Sequence, residues 1–182
     1  TSTNDLINVV DFMSEHVVPE LKSAANDGPP ILKADAIKFC TVFRSQLPRE
    51  AFPVLIPLML DHLGSKSYVV HTYAAIWFER SLAMKVQGVP RIPVCIFSPF
   101  SVAVLTTIFS VINSAEYPEN EYLMRCIMRV IAVGEKSDMV SLARDISMFL
   151  SGILQRSCSN PVNPKFNHYL FESFSALVKV LG

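Results

Sequence analysis

The sequence predicts an all-α protein, built as a HEAT-repeat α-α superhelix, which is a right-handed solenoid of helical hairpins. Three observations predict this fold. Apolar residues recur at three-to-four-residue spacing along nearly the whole chain, which is the period of an amphipathic helix. No stretch shows the strict two-residue alternation of a half-buried strand. Similar helices also recur at intervals close to the ~40–47 residues of HEAT and armadillo arrays.

The helices are separated by residues that end or bend helices. Proline has no backbone N–H and its ring clashes with the preceding turn, so we expect Pro19 to kink or split the first helix and Pro57 to bend the third. Gly64 is placed to end the third helix. The predicted spans, in order, are up to Leu21, Pro30–Leu47, Arg49–Leu63, Ser65–Lys85, Ser98–Ile112, Pro118–Gly134, Ser137–Cys158 and Pro164–Leu181.

A loop is predicted between the fourth and fifth helices, over Val86–Phe97. Ser98 and Pro99 then predict the start of the fifth helix. A serine side chain can cap a helix, and proline at the first helical position loses no hydrogen bond.

The second, fourth, sixth and eighth predicted helices share a pattern, in which a dense apolar face follows a turn. Their comparable starts, Ile31, Tyr68, Tyr122 and Phe166, are 37, 54 and 44 residues apart. Leaving out part of the loop before Ser98 brings the middle interval near a HEAT period. A hairpin cannot bury its whole apolar stripe alone, so repeats must stack. We expect residues 1–182 to form a single segment of HEAT repeats, interior to a larger solenoid; a compact helical bundle is the alternative.

The composition disfavours several classes of function. The 182 residues carry no net charge, whereas a nucleic-acid surface needs a basic stripe. The cysteines form no C-x-x-C pair, so we expect them to be reduced and structural. They are Cys40, Cys95, Cys126 and Cys158.

A membrane span is the alternative for residues 92–115, which contain no charged side chain and are long enough to cross a bilayer. However, Pro93 and Pro99 break the first part, and serine, threonine and asparagine are scattered through the stretch. We therefore expect a buried helix here, and no membrane insertion.

No catalytic site, metal site or cofactor is expected. The histidines lack the H-E-x-x-H or cysteine–histidine spacing of zinc sites, so we expect them to be surface or capping residues. No glycine-rich phosphate loop or nucleophile turn is present, which predicts that the protein is not an enzyme. The histidines are His16, His62, His71 and His168.

Charged side chains on the helices are the candidate contacts for protein partners. Arg125 and Arg129 are four residues apart, so they share one helix face, which we expect to be solvated; contact with an acidic partner is the alternative. One helix of each hairpin lines the concave side of a solenoid, and we assign this role to the third, fifth and seventh helices. The seventh helix adds the candidates Arg144, Asp145 and Arg156.

Several segments resemble the importin-β, or karyopherin, family, and within it the exportins that return importin-α to the cytoplasm. The similarity covers essentially the whole chain. The segments are Pro19-Glu-Leu-Lys-Ser, Leu32-Lys-Ala-Asp-Ala-Ile-Lys-Phe, Val69-Val-His-Thr-Tyr-Ala-Ala, Glu119-Asn-Glu-Tyr-Leu-Met-Arg-Cys-Ile-Met-Arg and Asn163-Pro-Lys-Phe-Asn-His-Tyr-Leu-Phe-Glu.

This resemblance implies a HEAT-repeat receptor that shuttles through nuclear pores between nucleus and cytoplasm. It implies that the receptor binds importin-α together with Ran-GTP in the nucleus and releases it when GTP is hydrolysed. It also implies that the main Ran-binding surface lies in earlier repeats, and it assigns no functional residue to this segment. The alternatives are a static helical-repeat scaffold not governed by Ran, and a helical membrane protein.

Overall fold

The computed structural model of the chain describes residues 8–24, 27–114, 116–159 and 162–182. These are mostly helical, so the all-α prediction is confirmed. They belong to two compact units, unit 1 (Thr1–Arg91) and unit 2 (Ile92–Gly182). Unit 1 contains α1 (Val9–Phe12), a π-helical turn (Met13–Val17), α2 (Val18–Lys22), α3 (Pro30–Val42), a 3-10 turn (Arg49–Ala51), α4 (Phe52–Leu63), α5 (Tyr68–Ala83), β1 (Lys85–Val86) and β2 (Val89–Pro90). Unit 2 contains α6 (Val94–Asn113), α7 (Glu121–Val133), α8 (Lys136–Ser159) and α9 (Pro164–Leu181).

Within each unit the helices pack as stacked hairpins. In unit 1, α2 pairs with α3 and α4 with α5, while α3 lies along α5 and α2 contacts α4. In unit 2, α6 pairs with α7 and α8 with α9, while α7 lies along α9 and α6 contacts α8. Each helix therefore packs against its hairpin partner and against the helix two positions along the chain, as in a repeat array. The four helices that share a sequence pattern are α3, α5, α7 and α9. Within unit 1, α3 stacks on α5, and within unit 2, α7 stacks on α9.

Large apolar side chains fill the space between the helices of each unit. In unit 1 the Trp77 ring is fully buried and lies 6.5 Å from the Phe52 ring and 5.1 Å from the Phe78 ring, measured between centroids. In unit 2, Phe109 of α6 stacks on Phe149 of α8 at 3.8 Å. Full burial of one such side chain contributes about 1.5–3 kcal/mol relative to exposure. The Trp77 contacts stabilise the α4–α5 hairpin, and the Phe109–Phe149 stack joins two neighbouring hairpins of unit 2.

The predicted interruption at Pro19 takes the form of a π-helical turn. The π-helical turn ends at Val17, and Pro19 is the second residue of α2. A proline cannot donate a hydrogen bond to the preceding turn, and the wider π turn accommodates this loss without ending the helix. Asn8 caps the start of α1: its Oδ1 accepts hydrogen bonds from the N–H groups of Val10 (3.0 Å) and Asp11 (3.3 Å).

The second predicted helix ends earlier than expected, because α3 stops at Val42 and not at Leu47. The N–H groups of Gln46 and Leu47 both donate to the Phe43 carbonyl, at 2.8 and 3.3 Å, and so close a turn. Leu47 precedes Pro48, and proline disfavours helical conformation in the residue before it. The turn also buries Leu47 completely.

The fifth predicted helix starts earlier than expected, so the prediction that Ser98 caps it is wrong. Helix α6 begins at Val94, and Pro99 lies inside it. The Pro93 carbonyl accepts hydrogen bonds from the N–H groups of Ile96 and Phe97, which starts the helix without a side-chain cap. The Ser98 hydroxyl instead donates to Asp138 Oδ2 at 2.7 Å and links α6 to α8.

The predicted loop before Ser98 contains a short antiparallel hairpin. Strands β1 and β2 pair Lys85 with Pro90 and Val86 with Val89. The two turn residues, Gln87 (φ 51°) and Gly88 (φ 82°), both have positive φ, as a tight two-residue hairpin turn requires. The side chains of Val86 and Val89 are exposed, so the hairpin presents a cross-strand valine pair to solvent.

Helix α6 is the one described helix that is long and apolar enough to cross a membrane by length and composition. Its buried residues belong to the core of unit 2, where α6 packs against α7 and α8. The core helix of a soluble protein passes the same test of length and composition. The buried residues are Phe97, Ser101, Val104, Leu105, Ile108 and Val111.

A buried lysine joins the two helices of the first hairpin of unit 1, α2 and α3. Lys33 on α3 is only 1% exposed. Its ammonium donates to the Glu20 carbonyl (2.7 Å), to the Ser23 carbonyl (3.4 Å) and to the Ser23 hydroxyl, and it lies 3.0 Å from Glu20 Oε1. A cation at a helix C-terminus satisfies carbonyls that have no partner within the helix and interacts favourably with the helix dipole. Lys33 therefore holds the end of α2 against α3.

We predict that Lys33→Met lowers the free energy of unfolding by about 1–3 kcal/mol, because it leaves carbonyls at the end of α2 without a donor while conserving side-chain volume. The measurement is urea unfolding of the chain followed by circular dichroism. Lys38→Met, on the exposed side of α3, is the matched control and is expected to change stability by less than about 0.5 kcal/mol. Equal effects of the two substitutions would contradict this role for Lys33.

Candidate partner-contact surfaces

The predicted pair Arg125 and Arg129 lies half-buried on α7. The Arg125 guanidinium sits over the Tyr169 ring of α9, 5.4 Å from its centroid, which is within the range of a cation–π interaction. Both arginines make further interactions within the protein. Beside them, Lys165 Nζ lies 3.5 Å from Glu121 Oε1 and joins the N-terminal ends of α9 and α7. The packed helices α7 and α9 therefore present a mixed aromatic and charged surface.

The remaining predicted contact residues, Arg144, Asp145 and Arg156, are exposed on α8. Arg156 Nη2 donates to Asn113 Oδ1 at the end of α6, at 3.3 Å. Arg156 follows Asp145 by eleven positions, which is about 16 Å along a helix. The structure thus spreads the five predicted residues over two helices, and it does not gather them into one compact site. Their role in partner contact stays a prediction.

A small cavity lies where the helices of unit 2 meet. Its volume is about 90 Å³, and Glu119, Arg156 and Ser157 are among its lining residues. Glu119 Oε1 accepts a hydrogen bond from the Ser157 hydroxyl (3.3 Å), and the Glu119 carbonyl accepts one from Asn163 Nδ2 (3.4 Å). Ligand sites usually occupy about 300–1,000 Å³, so this cavity has room for only a few waters.

Unit 1 has a wider apolar groove between the segment from α1 to α2 and helix α3. The groove has a volume of about 400 Å³ and is lined by side chains that include Phe12, Leu32 and Phe39. The Phe12 and Phe39 rings are 5.1 Å apart, and Phe12 and Leu32 are exposed by 41% and 51%. The sequence gives no sign of this groove, because an apolar residue at helical spacing looks the same whether it faces a closed core or an open surface.

Unit 2 has an exposed apolar stripe on α9. Phe171 and Val178 are seven residues apart and so lie on one helix face, and they are exposed by 57% and 69%. Leu181, at the end of the same helix, is 43% exposed. These exposed apolar side chains make this face of α9 a candidate surface for contact with another protein segment.

The buried histidines cap backbone carbonyls and offer no catalytic pair. His62 Nε2 lies 3.0 Å from the Leu21 carbonyl, and His71 Nδ1 lies 3.1 Å from the Ser65 carbonyl. Burial lowers the pKa of both imidazoles below the ordinary histidine value, and the Lys33 ammonium further lowers that of His62. Both rings therefore act as neutral donors. His16 and His168 are exposed.

The four free thiols divide into two buried and two exposed groups. Burial raises the pKa of the Cys40 thiol to about 12, which makes it a poor nucleophile because the thiolate is the reactive form. Cys126 is also buried, whereas Cys95 and Cys158 are exposed. No group of three or more histidine, cysteine, aspartate or glutamate side chains that could hold a metal ion occurs in the described part of the chain.

Two family models match the chain. Residues 79–182 match the model described as CAS/CSE protein, C-terminus, and residues 1–78 match the model described as Cse1. Exportin-2 of Bos taurus is 36% identical, and Exportin-2 of Oreochromis niloticus is 38% identical, each over 99% of this chain and 18% of the relative. Exportin-2 of Dictyostelium discoideum is 34% identical over 98% of this chain and 19% of the relative.

The chain is also similar to a solved structure, the exportin Cse1 in its cargo-free, cytoplasmic state. The two superpose with a TM-score of 0.77 at 33% identity, over 99% of this chain and 18% of Cse1. This likeness confirms the HEAT-repeat solenoid class that the helix spacing predicted. The chain thus spans about a fifth of the length of the relatives it matches.

We predict that the free energy of unfolding falls as the pH drops from about 7.5 to 5.5. The pKa of His62 and of His71 is lowered in the folded state, so the unfolded chain binds more protons below pH ~6.5, and each group removes at most ~1.4 kcal/mol per pH unit. The measurement is urea unfolding across this pH range. His62→Gln should flatten the slope, whereas His16→Gln, at an exposed position, should leave it unchanged; an unaltered slope in His62→Gln would contradict the assignment.

Proposed function

The chain belongs to the CAS/CSE family, whose members are exportins, and from this membership we propose that it is part of a nuclear export receptor for importin-α. In this proposal the complete receptor binds importin-α together with Ran-GTP in the nucleus and returns it to the cytoplasm. The observation that carries the proposal is that the two family models together match residues 1–182. The stacked-hairpin fold agrees with it, since transport receptors of this kind work by presenting a long solenoid surface to partners.

Within the receptor, residues 1–182 form one interior segment of repeats. The open groove at Phe12 and Leu32 and the exposed stripe at Phe171 and Val178 support this placement, because a stacked repeat elsewhere in the solenoid would cover such surfaces. The proposed contacts with partners are the exposed side chains Arg144, Asp145 and Arg156 and the α7 face that carries Arg125 and Arg129. The main Ran-binding surface lies in other repeats. No nucleic acid, cofactor or membrane takes part.

We expect the full-length protein that contains this chain to retain importin-α in a pull-down, with retention increased by Ran loaded with a non-hydrolysable GTP analogue. Ran-GDP is the matched control and should leave retention low. The physical reason is thermodynamic linkage: if Ran-GTP stabilises the conformation that binds importin-α, it raises the affinity for importin-α. Retention that is indifferent to the nucleotide on Ran would instead indicate the static scaffold.

We also expect residues 1–182, expressed alone, to self-associate as the concentration rises, because their apolar faces lack the repeats that would cover them. Sedimentation velocity measures this directly. Phe171→Ser combined with Val178→Ser should shift the equilibrium toward monomer, while Met148→Ser, an equally exposed position on α8, should have little effect. A monomeric wild-type chain at high concentration would rule out open stacking faces.

A further inference from the structure

Two arginines in unit 1 have an unusual environment. Arg44 Nη1 donates to the Thr41 carbonyl, and Arg91 Nη2 donates to the Leu47 carbonyl, each at 2.7 Å. In both side chains the Nε atom is buried and has no hydrogen-bond partner among the described residues. Buried donors nearly always find an acceptor in native proteins. These two guanidiniums therefore have donor capacity that the described contacts do not use.

Neither guanidinium is neutralised by a carboxylate in the described part of unit 1. Among the residues that the structure describes, no ion pair joins Arg44 or Arg91 to a carboxylate. A cation near a helix C-terminus is stabilised by the helix dipole, which accounts for the hydrogen bond of Arg44 to Thr41, in the last turn of α3. The dipole does not account for the buried, unused Nε groups.

Two exposed cations lie beside the arginine pair. Arg91 is hydrogen-bonded to Leu47, and Arg49 is two residues after Leu47. Lys85 is paired across the hairpin with Pro90, the residue before Arg91. The side chains of Arg49 and Lys85 are exposed. We call the surface formed by Arg44, Arg49, Lys85 and Arg91 the basic edge.

The basic edge is locally charged in a chain with no net charge. Glu50 is the one acidic residue within segments 43–51 and 84–91, which supply the four cations. The exposed cross-strand pair Val86 and Val89 lies in the same hairpin as Lys85. The surface thus combines guanidinium donors, which suit carboxylates, with a small aliphatic patch.

We propose that the basic edge binds an acidic protein segment in which aspartate or glutamate alternates with aliphatic residues. Carboxylates of the segment accept hydrogen bonds from the solvent-facing N–H groups of the half-buried Arg44 and Arg91 guanidiniums. Arg49 and Lys85 add attraction at the rim, and an aliphatic side chain of the segment rests on Val86 and Val89. A nucleic acid would need a longer cationic track than these four residues provide. This inference is independent of the proposed export of importin-α.

The test measures binding of a fluorescent peptide of repeated Glu-Leu-Asp triplets to the full-length protein that contains this chain, by fluorescence anisotropy at low salt. Arg49→Gln combined with Lys85→Gln should weaken binding about threefold to tenfold, since both side chains are exposed and their loss removes only attraction at the rim. Lys22→Gln combined with Lys38→Gln, two exposed lysines of unit 1 outside the edge, removes the same charge and should leave the affinity unchanged.

Two further probes separate the proposal from general electrostatics. A peptide with lysine in place of the acidic residues should not bind, and a labelled single-stranded oligonucleotide should bind more weakly than the acidic peptide. The proposal is overturned if the wild-type protein does not bind the acidic peptide or if the two double variants lose equal affinity. It is also overturned if the oligonucleotide binds as tightly as the peptide.

Discussion

The lengthwise packing of like helices, α3 on α5 and α7 on α9, is the contact on which the rest of the structure depends. A hairpin buries one apolar side against its own partner helix and must bury a second side against the neighbouring hairpin. Within each unit, the second surface is therefore supplied by the neighbouring hairpin. The open groove of unit 1 and the exposed stripe of α9 are stacking surfaces too. In the described part of the chain, no neighbouring hairpin covers them.

Buried polar groups add specificity to this apolar packing. Lys33 and His62 both donate to carbonyls at the end of α2, from α3 and α4 respectively. An apolar side chain could fill the same space, but it could not satisfy those carbonyls. The two residues therefore fix where the short first helix ends relative to the second hairpin, a geometry that non-directional apolar contacts leave undefined.

The helices could be predicted because their signal is local, whereas their ends depended on distant contacts. The apolar period located α4, α5, α7, α8 and α9 to within a few residues. The start of α6 was missed because Ser98 and Pro99 form a good local start signal, which the contact of Ser98 with Asp138 overrides. The β1–β2 hairpin was missed because strands of two residues carry no alternation, and Gln87-Gly88 was its only local sign.

The candidate surfaces were harder to predict than the fold. Sequence spacing placed Arg125 and Arg129 on one helix face, but it could not show that Tyr169 of another helix lies under Arg125. Arg44 and Arg91 gave no signal at all, since their half-burial depends on how the turn after α3 directs the Thr41 and Leu47 carbonyls. The exposure and hydrogen-bond partners of a side chain depend on how the repeats pack, whereas the helix period can be identified from the sequence alone.

The hairpin stacking also has a consequence for biosynthesis. Each pair of stacked helices is separated by roughly one repeat of sequence, so the native contacts within each unit join residues that leave the ribosome within seconds of each other. Chains dominated by such near-neighbour contacts fold quickly, because little loop entropy is lost before contacts form. A nascent chain can therefore complete one hairpin after another during translation, and the apolar face of the newest hairpin is the only one that a chaperone must shield at any moment.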